Sequence, residues 1–134
     1  MSGKDSLDIH DLEDADLLIL EDGHCFRNQI LNLCSINDLN KQFELKSGNF
    51  ETLINLSNNG PWMTILPYLH SRLLPDINKK NLIKFNDPTP AREISIVYYK
   101  TQLKLPIINA LKSTISKVIR GQIEYNDVKV MSPK

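Results

Sequence analysis

Apolar residues along this chain fall into short blocks whose spacing switches between continuous and helical. Residues 16–21 (DLLILE) form a compact apolar run bounded by acids, the pattern of a buried strand. Asp22-Gly23 interrupts it. Over residues 24–35, Phe26, Ile30, Leu31 and Leu33 recur near helical spacing. Residues 42–46 (QFELK) alternate and predict a second strand. Ser47-Gly48-Asn49 then turns the chain and offers a helix N-cap. Phe50, Leu53, Ile54 and Leu56 form the face of the next helix, which Asn58-Asn59-Gly60 ends. Residues 63–66 (MTIL) predict another buried strand, closed by Pro67.

The second half is less regular. Residues 69–74 suit a short helix and residues 82–85 a weak strand. Asp87-Pro88-Thr89-Pro90 is a stiff connector, because each proline pushes its predecessor out of the α region. Residues 94–99 (ISIVYY), β-branched and aromatic, carry the strongest strand signal in the chain. Pro106 suits a first helical turn. Beyond it Ile107, Ile108, Leu111, Ile115, Val118 and Ile119 form one apolar stripe, and Gly121 ends it. Residues 122–134 are expected to be a loose tail. Alternating strands and helices argue for an α/β layer with a largely parallel sheet. No internal repeat or low-complexity segment is visible.

The 134 residues suit one domain with a modest core. Sixteen basic and sixteen acidic residues cancel, which gives no electrostatic case for nucleic acid or an anionic membrane. The acids cluster early: residues 5–22 hold eight of them and no Lys or Arg. Residues 100–134 hold seven basic residues against Glu124 and Asp127. Such clusters are most simply solvated faces. No apolar run reaches the roughly 18–20 residues of a membrane span. Met1-Ser2-Gly3-Lys4-Asp5 lacks the apolar core of a signal peptide. The expected compartment is therefore the cytoplasm, with reduced or redox-active thiols. There is no CxxC, and His10, His24 and His70 are too scattered for a zinc site, so neither metal nor cofactor is expected.

The candidate chemistry lies in Gly23-His24-Cys25-Phe26-Arg27 and Cys34, which hold the only two cysteines, nine positions apart. A helix starting after Gly23 places Cys25 in its first turn, where unpaired N–H groups and the macrodipole favour an anion such as a thiolate. His24 and Arg27 would add positive charge and donors beside it. A thiolate attacks the O–O bond of a peroxide to give a sulfenic acid, which a second thiol condenses to a disulfide. Cys34 is the one candidate partner within the chain. Nine helical residues advance about 13–14 Å and turn two and a half times, whereas a disulfide needs Cα atoms within about 7 Å. If the two cysteines pair, the helix between them must unwind. The plainer reading treats both as small buried hydrophobes and His24 as a structural hydrogen-bonding residue.

The stretch Leu20-Glu21-Asp22-Gly23-His24-Cys25-Phe26-Arg27-Asn28-Gln29, continued to Cys34, resembles the sensor segment of the OxyR-type hydrogen-peroxide regulators, which are LysR-type transcription factors. Gly48-Asn49-Phe50-Glu51-Thr52-Leu53, Met63-Thr64-Ile65-Leu66-Pro67 and Pro88-Thr89-Pro90-Ala91-Arg92-Glu93-Ile94 resemble later blocks of the same effector domain, in the same order. The likeness covers roughly residues 10–120. The cysteine block is specific, and the other blocks are typical of LysR effector domains in general.

This resemblance implies an α/β, type II periplasmic-binding-protein-like effector-domain lobe with a largely parallel sheet. It implies that Cys25 is the peroxide-reactive cysteine and Cys34 the resolving one. His24 and Arg27 match residues flanking the thiol, with Gly23 at the helix N-terminus. Arg92 matches an arginine approaching the thiolate from the far end of the domain. Asn28 stands where some relatives carry an acid. Residues 1–121 would be mainly the second lobe, with residues 92–121 a strand and helix returning to the first, and residues 122–134 a flexible tail. The chain is short for the family. The winged helix-turn-helix, the linker helix, most of the first lobe and an early peroxide-binding threonine of relatives have no counterpart in it, as in an N-terminally truncated reading frame. Trp62 stands where relatives usually have a small residue.

The implied function is peroxide sensing by a regulator rather than enzymatic turnover. The expected partners are hydrogen peroxide and either a second copy or an intact homologous regulator. No stretch has helix-turn-helix form with clustered basic residues, so DNA would be reached only through a domain this chain lacks. The alternative is an effector-domain fragment that binds a small molecule or a homologue without redox chemistry.

Overall fold

The computed structural model describes residues 5–21, 25–33, 43–44, 48–123 and 128–130. Its elements in chain order are β1 (Ser6–Leu7), a 3-10 turn (Ile9–Leu12), β2 (Leu17–Ile19), α1 (Cys25–Leu33), β3 (Phe43–Glu44) and α2 (Phe50–Asn59). There follow β4 (Met63–Thr64), α3 (Tyr68–Arg72), α4 (Asp76–Lys79), β5 (Lys84–Phe85), β6 (Thr89–Ala91), α5 (Leu105–Arg120) and β7 (Val128–Val130).

β2 is the centre of the structure. It lies between β3 and β4, and both pair with it in parallel. Leu18 is in register with Phe43 on one side and Thr64 on the other. The Thr64 hydroxyl also donates to the Leu18 carbonyl at 3.0 Å, which ties β4 to β2. A strand paired on both edges and covered on both faces must be apolar throughout. Residues 17–20 are accordingly all buried.

The two-residue alternation of a strand divides this run between the faces. Leu17 and Ile19 join Leu12, Ile30 and Leu33 in one core cluster, so this face packs on α1. Leu18 and Leu20 join Leu53, with Phe50, Leu56 and Trp62 around them, so the other face packs on α2. The topology requires this arrangement. The crossover from β2 to β3 and that from β3 to β4 run in opposite directions across the sheet. Right-handed crossovers running in opposite directions leave their helices on opposite faces.

Every described strand pairing is parallel, including β1 with β5 and β6 with β7. The α/β, largely parallel architecture expected from the sequence is the one observed. Asn49 caps α2 as expected: its side chain accepts a 2.7 Å hydrogen bond from the Glu51 amide. Gly60 ends that helix in extended rather than left-handed backbone. The peptide bond Asp87-Pro88 is cis.

Residues 94–99 depart from expectation and form no strand. Ile94, Val97 and Tyr99 are 74, 90 and 85 % exposed. β-propensity expresses a fit to a paired, half-buried surface, and no described strand stands beside this segment. α5 forms over the predicted range with Pro106 in its first turn, yet Ile107, Leu111, Ile115 and Val118 on its stripe are exposed. Within residues 122–134, Val128–Val130 pair with Thr89–Ala91. No helix among the described residues is long and apolar enough to cross a membrane.

Candidate functional site

In a parallel sheet each helix that follows a strand begins at the carboxyl edge, the edge where α/β folds place their sites. α1, α2 and α3 follow β2, β3 and β4, so their first turns converge there. Cys25 opens α1 as a free, exposed thiol. It therefore occupies the end of the helix where backbone N–H groups lack intrahelical partners and an anion is favoured.

The three first turns meet through aromatic rings. Phe26 packs edge-on against Phe50, with ring centroids 5.6 Å apart and planes at 70°. Such T-shaped geometry sets a positive ring edge against a negative face. Phe50 in turn meets the His70 imidazole, at 4.9 Å between centroids. Arg92 closes the row, its guanidinium carbon 5.8 Å from the Phe26 centroid. Arg92, Phe26, Phe50 and His70 thus form a continuous series of contacts, in which Phe26 is the sequence neighbour of Cys25.

The structure brings Arg92 to the first turn of α1, although some 65 positions separate it in sequence from Phe26 and Cys25. Arg27 lies on the buried face of α1, only 8 % exposed. Cys25 is exposed, and residues two apart on a helix do not share a face. Asn28 is exposed. Gly23, His24 and Cys34 lie outside the described residues. Among the described residues, no group of three or more His, Cys, Asp and Glu side chains is placed to hold a metal ion.

Sequence reasoning took Phe50 as core and His70 as an isolated histidine. The missed signal was positional: both stand in the first turn of a helix directly after a parallel strand.

The buried face of α1 is partly polar. Its buried residues include Arg27 and Gln29 beside Ile30 and Leu33. Gln29 Oε1 is buried with no hydrogen-bond partner among the described residues. A buried amide oxygen left unpaired costs about 1–3 kcal/mol.

The LysR substrate binding domain family model matches residues 1–119. The chain is 30 % identical over 100 residues to the DNA-binding transcriptional dual regulator OxyR of Escherichia coli (strain K12), covering 72 % of this chain and 32 % of that protein. It is 27 % identical over 123 residues to the hydrogen peroxide-inducible genes activator of Pectobacterium carotovorum subsp. carotovorum, covering 92 % and 41 %. It is 33 % identical over 94 residues to the HTH-type transcriptional regulator EstR of Acinetobacter baylyi, covering 68 % and 29 %. The chain thus spans between 29 and 41 % of the length of these relatives. No solved structure matches it.

Proposed function

Because the chain belongs to the LysR substrate-binding domain family, whose fold is periplasmic-binding-protein-like, we propose that it is the hydrogen-peroxide-sensing part of a LysR-type transcriptional regulator, switched by oxidation of Cys25. The observation that carries this reading is the free, exposed Cys25 thiol at the start of α1, with Arg92 held over the adjoining Phe26. The relatives named for hydrogen peroxide support it.

The chemistry has two steps. The Cys25 thiolate attacks one peroxide oxygen and the O–O bond breaks. Hydroxide leaves and takes a proton to become water, and Cys25 becomes a sulfenic acid. The Cys34 thiolate then attacks the Cys25 sulfur, the S–O bond breaks, and a second water leaves with the added proton. A disulfide remains. The Cys25 helix terminus stabilises the attacking anion, while Arg92, which matches an arginine approaching from the far end of the domain, adds positive charge. The resemblance assigns His24 and Arg27 to the residues flanking the thiol and Gly23 to the helix N-terminus, although Arg27 is buried on α1 where Cys25 is exposed.

In sequence Cys34 directly follows Leu33, the last residue of α1, which spans Cys25–Leu33. Eight helical steps separate its ends by about 12 Å, and a disulfide tolerates about 7 Å between Cα atoms. Forming the bond therefore unwinds α1. The buried, unpaired Gln29 oxygen lowers the cost of doing so. The product is an altered regulator rather than a released substrate.

In this reading residues 1–121 are mainly the second lobe of the effector domain, residues 92–121 return toward the first, and residues 122–134 follow as a C-terminal segment that is tied back at Val128–Val130. The compartment is the cytoplasm, where thiols are kept reduced. DNA is reached through a helix-turn-helix domain outside these residues.

The test is peptide mapping of the peroxide-treated chain, paired with far-UV circular dichroism. A Cys25–Cys34 disulfide accompanied by loss of helix is expected. A confirmed intramolecular disulfide with an unchanged spectrum contradicts the switch.

A second reading, ligand or homologue binding without redox chemistry, draws on the likeness to EstR, whose name makes no reference to peroxide. It requires Cys25 to be inert to peroxide.

A further inference from the structure

Arg92 is exposed, as is every residue from 93 to 101 after it. A long charged side chain at such a site has many rotamers, so its place over Phe26 depends on where its backbone is held. Arg92 directly follows β6, and β7 is the one strand beside β6 among the described residues. The pairing is parallel and sets Thr89, Pro90 and Ala91 against Val128, Lys129 and Val130. Parallel neighbours need a crossover, which α5 supplies. Pro90 has no N–H to give, so Thr89 and Ala91 carry the ladder on β6. The register then leaves Lys129 as the β7 residue whose N–H and C=O face β6, with the Val128 N–H facing away.

The same C-terminal segment is held a second time. Arg72 Nη1 donates to the Gln122 carbonyl at 3.0 Å, two residues beyond the end of α5. Arg72 closes α3, two positions after His70. The contacts running from Arg92 through Phe26 and Phe50 to His70 are therefore tied at both ends to one piece of chain. The Arg92 end is tied through β6 and β7, and the His70 end through Arg72 and Gln122.

We propose that β7 positions Arg92 for the Cys25 thiol. By pairing with β6 it holds the Arg92 backbone where the guanidinium reaches the Phe26 ring, and its release withdraws positive charge from the start of α1. This rests on the proposed oxidation of Cys25 and adds to it a control exerted from the C-terminal segment. Lys129 acts through Arg92, by its backbone, and is a positioning residue. A two-stranded ribbon is weak by itself, and neither core cluster contains a residue from 89 to 130. β7 can therefore be released without unfolding the sheet of β2, β3 and β4.

Alkylation of the full chain by iodoacetate and by iodoacetamide tests this, in a Cys34→Ser background so that a single thiol reacts. Both reagents need the thiolate, so the ratio of their rates reports positive charge at Cys25 and involves no peroxide. Arg92→Ala is expected to lower the ratio about twofold. Lys129→Pro removes the N–H that faces β6 and is expected to lower it by a similar factor. Lys129→Gln loses the same charge but keeps the N–H, and is expected to match the unmodified protein, as is Val128→Pro. In an Arg92→Ala background, Lys129→Pro is expected to have no further effect, whereas independent effects would multiply. A chain ending at Ile123 removes β7 whole with no change in net charge, since residues 124–134 hold two acids and two bases. It is expected to behave as Lys129→Pro does. Rates of sulfenic-acid formation with peroxide should follow the same order, with a loss of about two- to fivefold at most. A ratio that falls as expected while peroxide leaves Cys25 unoxidised supports the positioning and contradicts the redox reading. The positioning is overturned by a ratio that Lys129→Pro leaves unchanged, by Lys129→Gln as low as Lys129→Pro, or by a Lys129→Pro effect that persists without Arg92. Loss of the central fold in both Lys129→Pro and the shortened chain overturns it as well.

Discussion

The guanidinium carbon of Arg92 lies 5.8 Å from the centroid of the Phe26 ring, which links the segment after β6 to the first turn of α1. Arg92 is exposed, and at such sites a cation–π contact is worth about 0.5–1 kcal/mol. If that contact positions positive charge for the Cys25 thiolate, Arg92→Ala slows sulfenic-acid formation at Cys25 by about two- to fivefold. Arg92→Lys restores part of the rate, because lysine keeps the charge and loses the flat stacking surface. Stopped-flow rates with peroxide for the three proteins check this. An unchanged rate for Arg92→Ala means that Arg92 anchors the segment and nothing more.

Gln29→Leu should stabilise the reduced protein. It removes the unpaired Oε1 from the buried face of α1 and fills the space with a side chain of similar size. The expected gain is about 1–2 kcal/mol, seen as a higher thermal midpoint. On the proposed switch, in which α1 unwinds for the disulfide to form, the same change should slow disulfide formation. Faster disulfide formation in the more stable variant would separate the switch from helix unwinding.

Much of the central unit was legible in the sequence because its signals were local and agreed with one another. Residues 17–20 could be read as a doubly buried strand, and Asn49 as a cap, from a few neighbouring side chains. Cys25 was placed in a first helical turn by Asp22-Gly23 alone. The site was legible only in part. The line from Arg92 through Phe26 and Phe50 to His70 depends on three helix starts meeting at one sheet edge, which no single window contains. The strand expected at residues 94–99 failed for the complementary reason. Its propensity is strong, but pairing needs a neighbour, and propensity does not supply one. β1, β6 and β7 escaped notice because elements of two or three residues show no period.

Trp62 is accommodated by Gly60. A Cβ added at Gly60 would run into the Trp62 ring and approach the Leu56 carbonyl oxygen. The Gly60 backbone is extended, so its requirement is space and not conformation. Gly60→Ala is therefore expected to push the indole off the Leu18, Leu20 and Leu53 cluster and cost about 1–3 kcal/mol. Gly60→Ala combined with Trp62→Gly should recover the part of the loss due to the clash. Chemical denaturation of both variants measures it, and a Gly60→Ala protein of unchanged midpoint contradicts the fit.

His10 gives the chain a small pH dependence of known sign. Its Nδ1 lies 3.0 Å from Glu13 Oε1, and that hydrogen bond, followed by the Glu13 charge, raises the His10 pKa above its ordinary value of 6.5. Folding therefore favours the charged imidazole. The contribution is fully present below about pH 6.5 and is lost as pH rises through the raised value. NMR titration should find His10 above 6.5, and Glu13→Gln should bring it down. A His10 that titrates at or below 6.5 in the folded protein excludes the pairing.

The central claim is that Cys25 is the atom peroxide reaches first. The most direct measurement is mass spectrometry of the reduced chain after brief exposure to hydrogen peroxide in the presence of a sulfenic-acid trap, alongside Cys25→Ser and Cys34→Ser variants. The account predicts trapping at Cys25, more of it in Cys34→Ser, where the resolving thiol is gone, and none in Cys25→Ser. Trapping mainly at Cys34, or no trapping at either position while the chain remains folded, would contradict it.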